Sequence, residues 1–380
     1  HAVYKLLSVL LVCISLLSAS LARAEDGVTP NRVVIGQNIT LQGGKNDYGA
    51  AVLAGMETYF SNINRRGGIN GRQIDLITLD DDNKSDKAEA NARQLVEKDK
   101  AFVLFGSIEG GPSTAVMKAA NELKVPFFGP LAGSPTLRRP HQPLVFPVRA
   151  EHREEFRALL TQGKSLGINK VAFLRSDSET GQQHLTNVKI ICEELGMKLV
   201  LDMPFKSDIK EAQLDAYAQQ MDKLGAQMVF NHGGTGVYET FIRKARTRSI
   251  HTAIYAVNSG SAQLAKKLGP LAQGMVFAQV VPSPWERKTA ITREYQDEFK
   301  RLKPGQEFSY GSFEGYITAM ALVLALRQAG PALTRTGFVS AMNNASLDLN
   351  GLKAVYTPGN HQGLAFVDLS IVTHDGKFRH

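Results

Sequence analysis

Apolar and polar positions follow two periods along the chain, a two-residue period over short runs and a helical period over longer ones. In the first part of the chain, residues 32–40 and Gln73–Leu79 form β-branched, apolar runs that predict strands. Residues 52–63 place apolar side chains at helical spacing, and Asp86–Lys98 predicts a second helix. Strands that alternate with helices of this length are typical of an α/β protein with parallel sheets.

The segment Ala101–Arg139 contains the same unit almost twice. A short apolar run, 101–105, leads into a Gly/Ser loop, 106–112, and then into helix-like spacing. A second apolar run, 125–128, leads into another small-residue loop, 129–135. Such units build parallel sheets, and ligands bind at the carboxyl ends of their strands. Because free N–H groups at a helix start bind carboxylates and phosphates, the two loops predict a cleft for a small anionic ligand.

The same alternation restarts in the second part of the chain. Its predicted strands are 170–174, 198–203, 228–231 and 252–257, and its predicted helices are 151–166, 185–195, 213–224 and 237–246. The prolines of Val280–Pro284 predict a crossing, after which helices at 290–302 and 313–328 return to the first part. Segments 351–356 and 364–371 predict antiparallel closing strands. Because 380 residues exceed what one hydrophobic core usually supports, we expect an α/β fold of two doubly wound, Rossmann-like lobes.

The net charge of +8 raises the question of a nucleic-acid partner. The cations are scattered along the chain and mixed with acids, and the sequence has no zinc-finger, RNP or helix-turn-helix pattern. We therefore expect a solvated basic surface and no nucleic-acid partner.

The first residues predict a targeting segment. Lys5 precedes the apolar stretch Leu6–Leu21, and residues 22–24 have the small-x-small form of a signal-peptidase site. We expect residues 1–24 to be a cleaved signal peptide and the mature protein to be periplasmic, with an uncleaved membrane anchor as the alternative. Cleavage would leave Cys192 as the one cysteine, so we expect no internal disulfide.

The sequence carries few patterns of catalysis. It has no G-x-S-x-G elbow, no Walker A motif and no H-E-x-x-H motif. Asp80–Asp82 precede a predicted helix, whose N-terminus favours acids, so we interpret them as structural. The isolated histidines are interpreted as surface or core residues: His152, His184, His232 and His361. We therefore expect a protein that is not an enzyme and has no cofactor and no metal site.

Small polar residues recur at successive predicted strand ends, which suits the binding of a ligand rather than its turnover. They are Ser107, Ser134, Asp177, Thr180, Thr235, Asn258, Ser259 and Ser261. Each alone is also a common turn or cap residue. Their recurrence at the same edge of two predicted sheets favours a binding site.

Nine segments, in this order, are similar to one known family. They are Ile35–Thr40 with the Gly loop after it, Asn64–Gly71, Leu79–Asp81, Leu104–Ser107, Val125–Pro126 with Ser134–Pro135, Phe146–Arg149, Phe241–Arg243, Glu314–Tyr316 and His361–Gly363. Over about residues 30–380, the chain resembles a periplasmic solute-binding protein of the type I fold, in the branched-chain amino-acid-binding group of ABC-importer receptors.

This resemblance implies two lobes that are joined by three hinge crossings and close on a ligand. Lobe one would comprise residues 25–148 and 282–352, and lobe two residues 149–281 and 353–380. The implied partners are a small amino acid or organic acid and an ABC permease in the inner membrane. The implied state of the protein is a monomer.

The resemblance also implies which residues bind the ligand. In lobe one, hydroxyl and N–H groups of Ser107 and of the loop formed by Ala132, Gly133 and Ser134 would hold the ligand carboxylate. The implied contacts from lobe two are Asp177, Thr180, Thr235, Asn258 and Ser259.

The chain departs from the family pattern in lobe two. Thr180 and Thr235 stand where family members usually place aromatic residues, and residues 258–261 hold no acid to pair with a ligand ammonium. Asp177 would have to supply that acid for an amino-acid ligand. The sequence therefore leaves open an amino acid or an organic or aromatic acid as the ligand. A sensor of the same fold that signals to a receptor partner is the alternative function, and an enzyme is the third.

Overall fold

The computed structural model describes residues 24–380, which form two α/β lobes, each built around a largely parallel sheet. The expected signal peptide falls on residues 1–23 and Ala24, so nearly all of it lies outside the described residues. Among the described helices, none combines the length and the apolar character that a membrane span needs.

The first lobe begins with the short strand β1, which is followed by five further strands and three helices. They are β1 (Val28–Thr29), β2 (Arg32–Ile39), α1 (Asn46–Arg65), β3 (Gln73–Asp80), α2 (Ser85–Glu97), β4 (Val103–Gly106), α3 (Gly110–Leu123), β5 (Phe127–Phe128) and β6 (Val145–Phe146). The strand order is β1-β2-β4-β5-β6, with β3 on the other side of β2. Ile35 of β2 lies opposite Leu76 of β3 and Val103 of β4, both in parallel register.

The second lobe repeats this architecture. Its elements are α4 (His152–Ser165), β7 (Lys170–Ser176), α5 (Glu179–Leu195), β8 (Lys198–Phe205), α6 (Glu211–Lys223), β9 (Met228–His232), α7 (Thr235–Thr247), β10 (Ala253–Ala256), α8 (Ser261–Leu268) and β11 (Val276–Gln279). Strands β7 to β11 pair in parallel. Both lobes confirm the predicted α/β fold with two doubly wound sheets.

The rest of the chain returns to the first lobe and then crosses again. Its elements are α9 (Ala290–Leu302), α10 (Tyr310–Ala329), α11 (Arg335–Met342), β12 (Ala345–Asp348), β13 (Lys353–Thr357), β14 (Asn360–Gly363), β15 (Asp368–Val372) and β16 (Phe378–Arg379). Strand β15 pairs antiparallel with β11, and β16 pairs antiparallel with β15, so the chain closes on the sheet of the second lobe.

The packing of β13 and β14 bears on the position of the third crossing. Ala354, Tyr356 and Leu364 lie in the hydrophobic core of the first lobe, together with α10 and α11. Val367 and Leu369 instead pack against a core of the second lobe. The expected division of the lobes at residues 352–353 stays a prediction, and we infer from this packing that the third crossing lies after Leu364.

Some elements differ from their sequence prediction. Ser261, placed at the end of the predicted strand 252–257, begins α8, because Gly260 adopts a left-handed conformation with φ of 71° and turns the chain into the helix. The helix predicted at 185–195 begins earlier, at Glu179, behind the N-cap Ser178. The Ser and Gly residues at 259–261 are typical of a loop, yet the last of them begins a helix.

The contact between α1 and α10 fixes how the returning helices cover the first sheet. Helix α10 is buried on nearly all sides, and two glycines let the helices approach closely. A Cβ added at Gly55 would lie 1.8 Å from the carbonyl oxygen of Ser312, and one added at Gly315 would lie 2.1 Å from that of Val52. The helices therefore meet backbone to backbone at these positions.

We expect Gly315→Ala to destabilise the protein by about 1–3 kcal/mol, because the added methyl group forces apart two backbones that cannot move independently. Chemical denaturation gives the free energy of unfolding. Gly359→Ala is the matched control, since a Cβ at that position meets no atom within 4 Å. Equal stabilities for the two variants would contradict this account of the contact.

Candidate ligand-binding site

A cavity of about 620 Å³ lies between the lobes, at the carboxyl ends of β2, β4, β9 and β10. Its wall in lobe one includes Gly44–Tyr48, Asn83, Ile108–Gly111, Leu131 and Ala132. The rest of its wall includes Arg149, His152, Thr180, His232–Thr235, Asn258–Gly260, Gln263 and Lys267. A volume of this size is typical of a site for a small molecule.

Lys45, in the loop between β2 and α1, spans the cavity mouth. Its ammonium lies 3.0 Å from a carboxylate oxygen of Glu109, which belongs to the same lobe. It also donates a hydrogen bond to the hydroxyl of Ser259, which belongs to the other lobe. Lys45 therefore joins an acid of lobe one to the β10–α8 loop of lobe two.

A buried ion pair lies at the first crossing between the lobes. The Arg149 Nη2 donates to Glu155 Oε2 over 2.7 Å, and both side chains are almost fully buried. Glu155 Oε1 accepts the backbone N–H of Asn258 over 2.9 Å, while Arg149 Nη1 donates to the side-chain oxygen of Asn258 over 3.2 Å. Burial lowers the pKa of Arg149 and raises that of Glu155, and their mutual attraction opposes both shifts.

Arg138 holds the loop after β5 against this crossing. Its guanidinium donates to the carbonyl oxygens of Ala132, Ser134 and Arg149 over 3.1, 2.9 and 3.0 Å. Burial lowers the pKa of Arg138 to about 10, so the group keeps its charge at neutral pH. Arg149, paired with Glu155, lies in the cavity wall, and Arg138 lies next to it outside the wall, so the charge of Arg138 favours an anionic ligand at this end.

Three histidines cluster at the lobe-two wall. The ring of His232, at the end of β9, lies 4.3 Å from that of His152 and 3.8 Å from that of His184, measured between centroids. His152 and His232 belong to the cavity wall, and His184 lies behind them with 1% of its surface exposed. The interpretation of His184 as a core residue is confirmed. His152 and His232 were also interpreted as surface or core residues, and that interpretation did not place them in the cavity wall, where both lie.

Five of the residues proposed from sequence lie in the cavity wall. They are Ala132, Thr180, Thr235, Asn258 and Ser259. They come from both lobes and from loops that follow different strands, as the strand-end pattern predicts. Whether each contacts the ligand stays a prediction.

The other four lie outside the described cavity wall. The hydroxyl of Ser107 is fully buried and bonded to that of Ser113 over 2.9 Å, and that of Ser134 is bonded to Thr136. Gly133 accepts the N–H of His152 with its carbonyl oxygen. The carboxylate of Asp177 is about half exposed, 3.7 Å from the ammonium of Lys206. Their assignment to ligand binding is untested, and in this structure they support or flank the wall.

Sequence reasoning missed several wall residues with charged or polar side chains. They are Lys45, Asp47, Tyr48, Glu109, Arg149, His152, His232, Gln263 and Lys267. They lie at the ends of β2, β4, β6, β9 and β10, in the loops after these strands or in the helices that follow, so the strand-end rule locates them in principle. Because small hydroxyl-bearing residues were preferred as candidates, the longer side chains that reach the cavity were left out.

The charges of the wall decide which ligand chemistry it suits. Lobe two contributes no carboxylate among the described wall residues, and the two acids of the wall, Asp47 and Glu109, belong to lobe one. Glu109 already pairs with Lys45. No group of histidine, cysteine, aspartate or glutamate side chains among residues 24–380 has the geometry of a metal site. The wall therefore offers cations and hydrogen-bond donors to a small anion.

Comparisons with known proteins agree on one family. The family described as "Periplasmic binding protein" matches residues 32–376. A "Leu/Ile/Val-binding protein homolog 2" of Brucella abortus is 22% identical over 334 residues, which cover 83% of this chain and 88% of the relative.

Two solved structures show the same fold. A "possible leucine/isoleucine/valine-binding protein" of Rhodopirellula baltica superposes with a TM-score of 0.81 at 22% identity, over 94% of this chain and 98% of that one. A "Fatty acid ABC transporter substrate-binding protein" of Thermomonospora curvata gives 0.80 at 18% identity, over 94% and 93%. With a family match over nearly the whole described chain and a type I fold of two lobes, the chain belongs to the periplasmic binding protein family.

Proposed function

We propose that the protein is an extracytoplasmic solute-binding receptor of an ABC importer and captures a small carboxylate-bearing solute between its lobes. The observation that carries the proposal is the cavity between the lobes, with cationic and hydrogen-bonding groups from both sides. Membership of the periplasmic binding protein family supports a periplasmic location. The similarity to a Leu/Ile/Val-binding protein homologue and to a fatty acid ABC transporter substrate-binding protein supports the importer role and an acidic ligand.

Closure of the lobes accounts for how such a receptor would hold its ligand. One side-chain contact already joins the lobes at the cavity, from Lys45 to Ser259, and Arg149 at the first crossing bonds to the neighbouring Asn258. A ligand enclosed by these groups would be shielded from water, which strengthens charge-assisted hydrogen bonds. The receptor would then present the closed form, as a monomer, to the permease.

The Lys45–Glu109 ion pair favours an organic acid without an ammonium group as the ligand. An amino acid needs a carboxylate on the protein to pair with its ammonium. In this cavity Glu109 already has Lys45 at 3.0 Å, Asp47 is exposed in the first turn of α1, and Asp177 lies outside the wall. The lysine of the protein therefore occupies the position that a ligand ammonium would take beside Glu109.

We expect 4-methyl-2-oxopentanoate to stabilise the mature chain, residues 25–380, more than leucine does. The two compounds share carbon skeleton and carboxylate and differ in a keto group against an ammonium group. At 100 times its dissociation constant, a ligand adds about 2.7 kcal/mol of stability, which a thermal-shift assay detects. Benzoate, succinate, isoleucine and valine complete the panel. A larger shift with leucine than with the oxo acid would contradict the assigned ligand class.

We expect Lys45→Gln to weaken binding of the oxo acid about 10- to 100-fold, because a hydrogen bond to a charged group contributes about 1.5–3 kcal/mol. The same change frees Glu109, so we expect the affinity for leucine to rise relative to that for the oxo acid. Isothermal titration calorimetry measures both constants. Lys189→Gln, an exposed charge change on α5, is the control and should change neither. Equal weakening of both ligands by Lys45→Gln would count against the role of the ion pair.

A further inference from the structure

The histidine cluster formed by His152, His184 and His232 lies between an apolar core of the second lobe and the cavity. The three rings lie within 5.5 Å of one another between centroids, and Phe156 packs against all three. Both ring nitrogens of His184 and the Nδ1 of His232 are buried with no hydrogen-bond partner in the described chain. Buried polar atoms of this kind are usually hydrogen-bonded, so a cluster of three such atoms beside a ligand cavity indicates a functional use.

The buried ion pair fixes the tautomer of one member. Arginine keeps its charge in proteins, so Glu155, bonded to Arg149, is the matching carboxylate. The Nδ1 of His152 lies 2.7 Å from the same carboxylate oxygen and must donate its proton there. Neutral His152 therefore keeps an unprotonated Nε2, which is the site where it would take up a proton.

The cluster is neutral in this structure at ordinary pH. Burial, together with the nearby charge of Arg149, lowers the pKa of His152 well below its usual value. Burial and the two other histidines do the same for His232, and burial lowers the pKa of His184 to about 4. Burial thus keeps all three rings uncharged, and the charge of Arg149 adds to this effect at His152.

Charged groups face the cluster from every neighbouring element. They are Lys45, Asp47 and Glu109 from the loops of lobe one, Arg138, Arg139, Arg149 and Glu151 from around the first crossing, Glu155 from α4 and Lys267 from α8. Lys45 pairs with Glu109, Arg139 with Glu151 and Arg149 with Glu155. Arg138 bonds to backbone carbonyl oxygens, so its charge adds to the positive potential at this end of the cavity.

We propose that the histidine cluster couples ligand binding to proton uptake: the cavity takes its ligand as an anion, and a wall histidine gains one proton from solvent when the anion arrives. The inference rests on the proposed function, because it needs a carboxylate-bearing ligand. An anion close to an imidazole favours the charged ring and offsets the cations that oppose it. His152 can then donate from Nε2 to the ligand while Nδ1 stays bonded to Glu155.

The direction of the pH dependence follows from linkage. The histidine pKa is lowered in the free protein and higher in the complex, so binding takes up protons at every pH between the two values. Within that window the dissociation constant falls as the pH falls, by at most tenfold per pH unit for one proton. Above the pKa of the complex the ring stays neutral in both states, and the pH dependence disappears.

The test is calorimetric titration of the mature chain with 4-methyl-2-oxopentanoate from pH 5.5 to 8.0, where this acid stays ionised. Titrations at pH 6.5 in phosphate and in Tris, whose ionisation enthalpies differ, give the number of protons taken up. We expect tighter binding at lower pH and uptake of a measurable fraction of one proton. His152→Gln and His232→Gln, which each remove one wall imidazole, should reduce both the slope and the uptake, and His152→Gln should do so most. His251→Gln, at an exposed histidine, should leave them unchanged.

The outcomes separate this inference from the function on which it rests. If the oxo acid binds with the same dissociation constant across the pH range and without proton uptake, the inference is overturned and the receptor function stands. If no compound of the panel binds, both are overturned. Since the wild-type protein alone gives the proton count, a His232→Gln variant that fails to fold does not remove the test. Thermal unfolding of each variant identifies that case.

Discussion

The buried pair of Arg149 and Glu155 is the interaction on which the geometry of the site depends. Burying two charges is costly, and removing one partner of such a pair usually destabilises a protein by about 3–5 kcal/mol. Here the pair is fully bonded: Glu155 accepts from Arg149, from His152 and from the backbone of Asn258. One carboxylate thereby positions the first crossing, the start of α4 and the loop after β10.

Through Arg149, this pair is also linked to lobe one. Arg149 lies on the crossing, and its carbonyl oxygen accepts a hydrogen bond from Arg138, which in turn holds the loop containing Ala132 and Ser134. The second link between the lobes, from Lys45 to Ser259, reaches the residue next to Asn258. The loop after β10 is therefore held from both sides at the cavity, by Arg149 at the crossing and by Lys45 from lobe one.

The sequence predicted the architecture because periodicity and strand-end position are local properties. Alternating strands and helices, the two lobes and the loops around the site all follow from them. The side chains that reach the cavity were harder to predict. Ser107 has a φ of 83° and Glu109 a φ of 67°, and such positive values are rare for these residue types. With these backbone angles, the hydroxyl of Ser107 points inward and the side chain of Glu109 reaches Lys45. No sequence pattern indicates these angles.

The place of His152 and His232 in the site could not be predicted from sequence either. Each histidine is isolated in the sequence, and the two meet only because α4 and β9 pack together with α5 in the second lobe. Their chemistry arises from that meeting, since the carboxylate fixes one ring and burial keeps all three neutral. The fold of a family can therefore persist while the groups at its cleft change. The proposed preference for anions rests on a lysine beside Glu109 and on imidazoles in the wall of lobe two, which the shared architecture does not dictate.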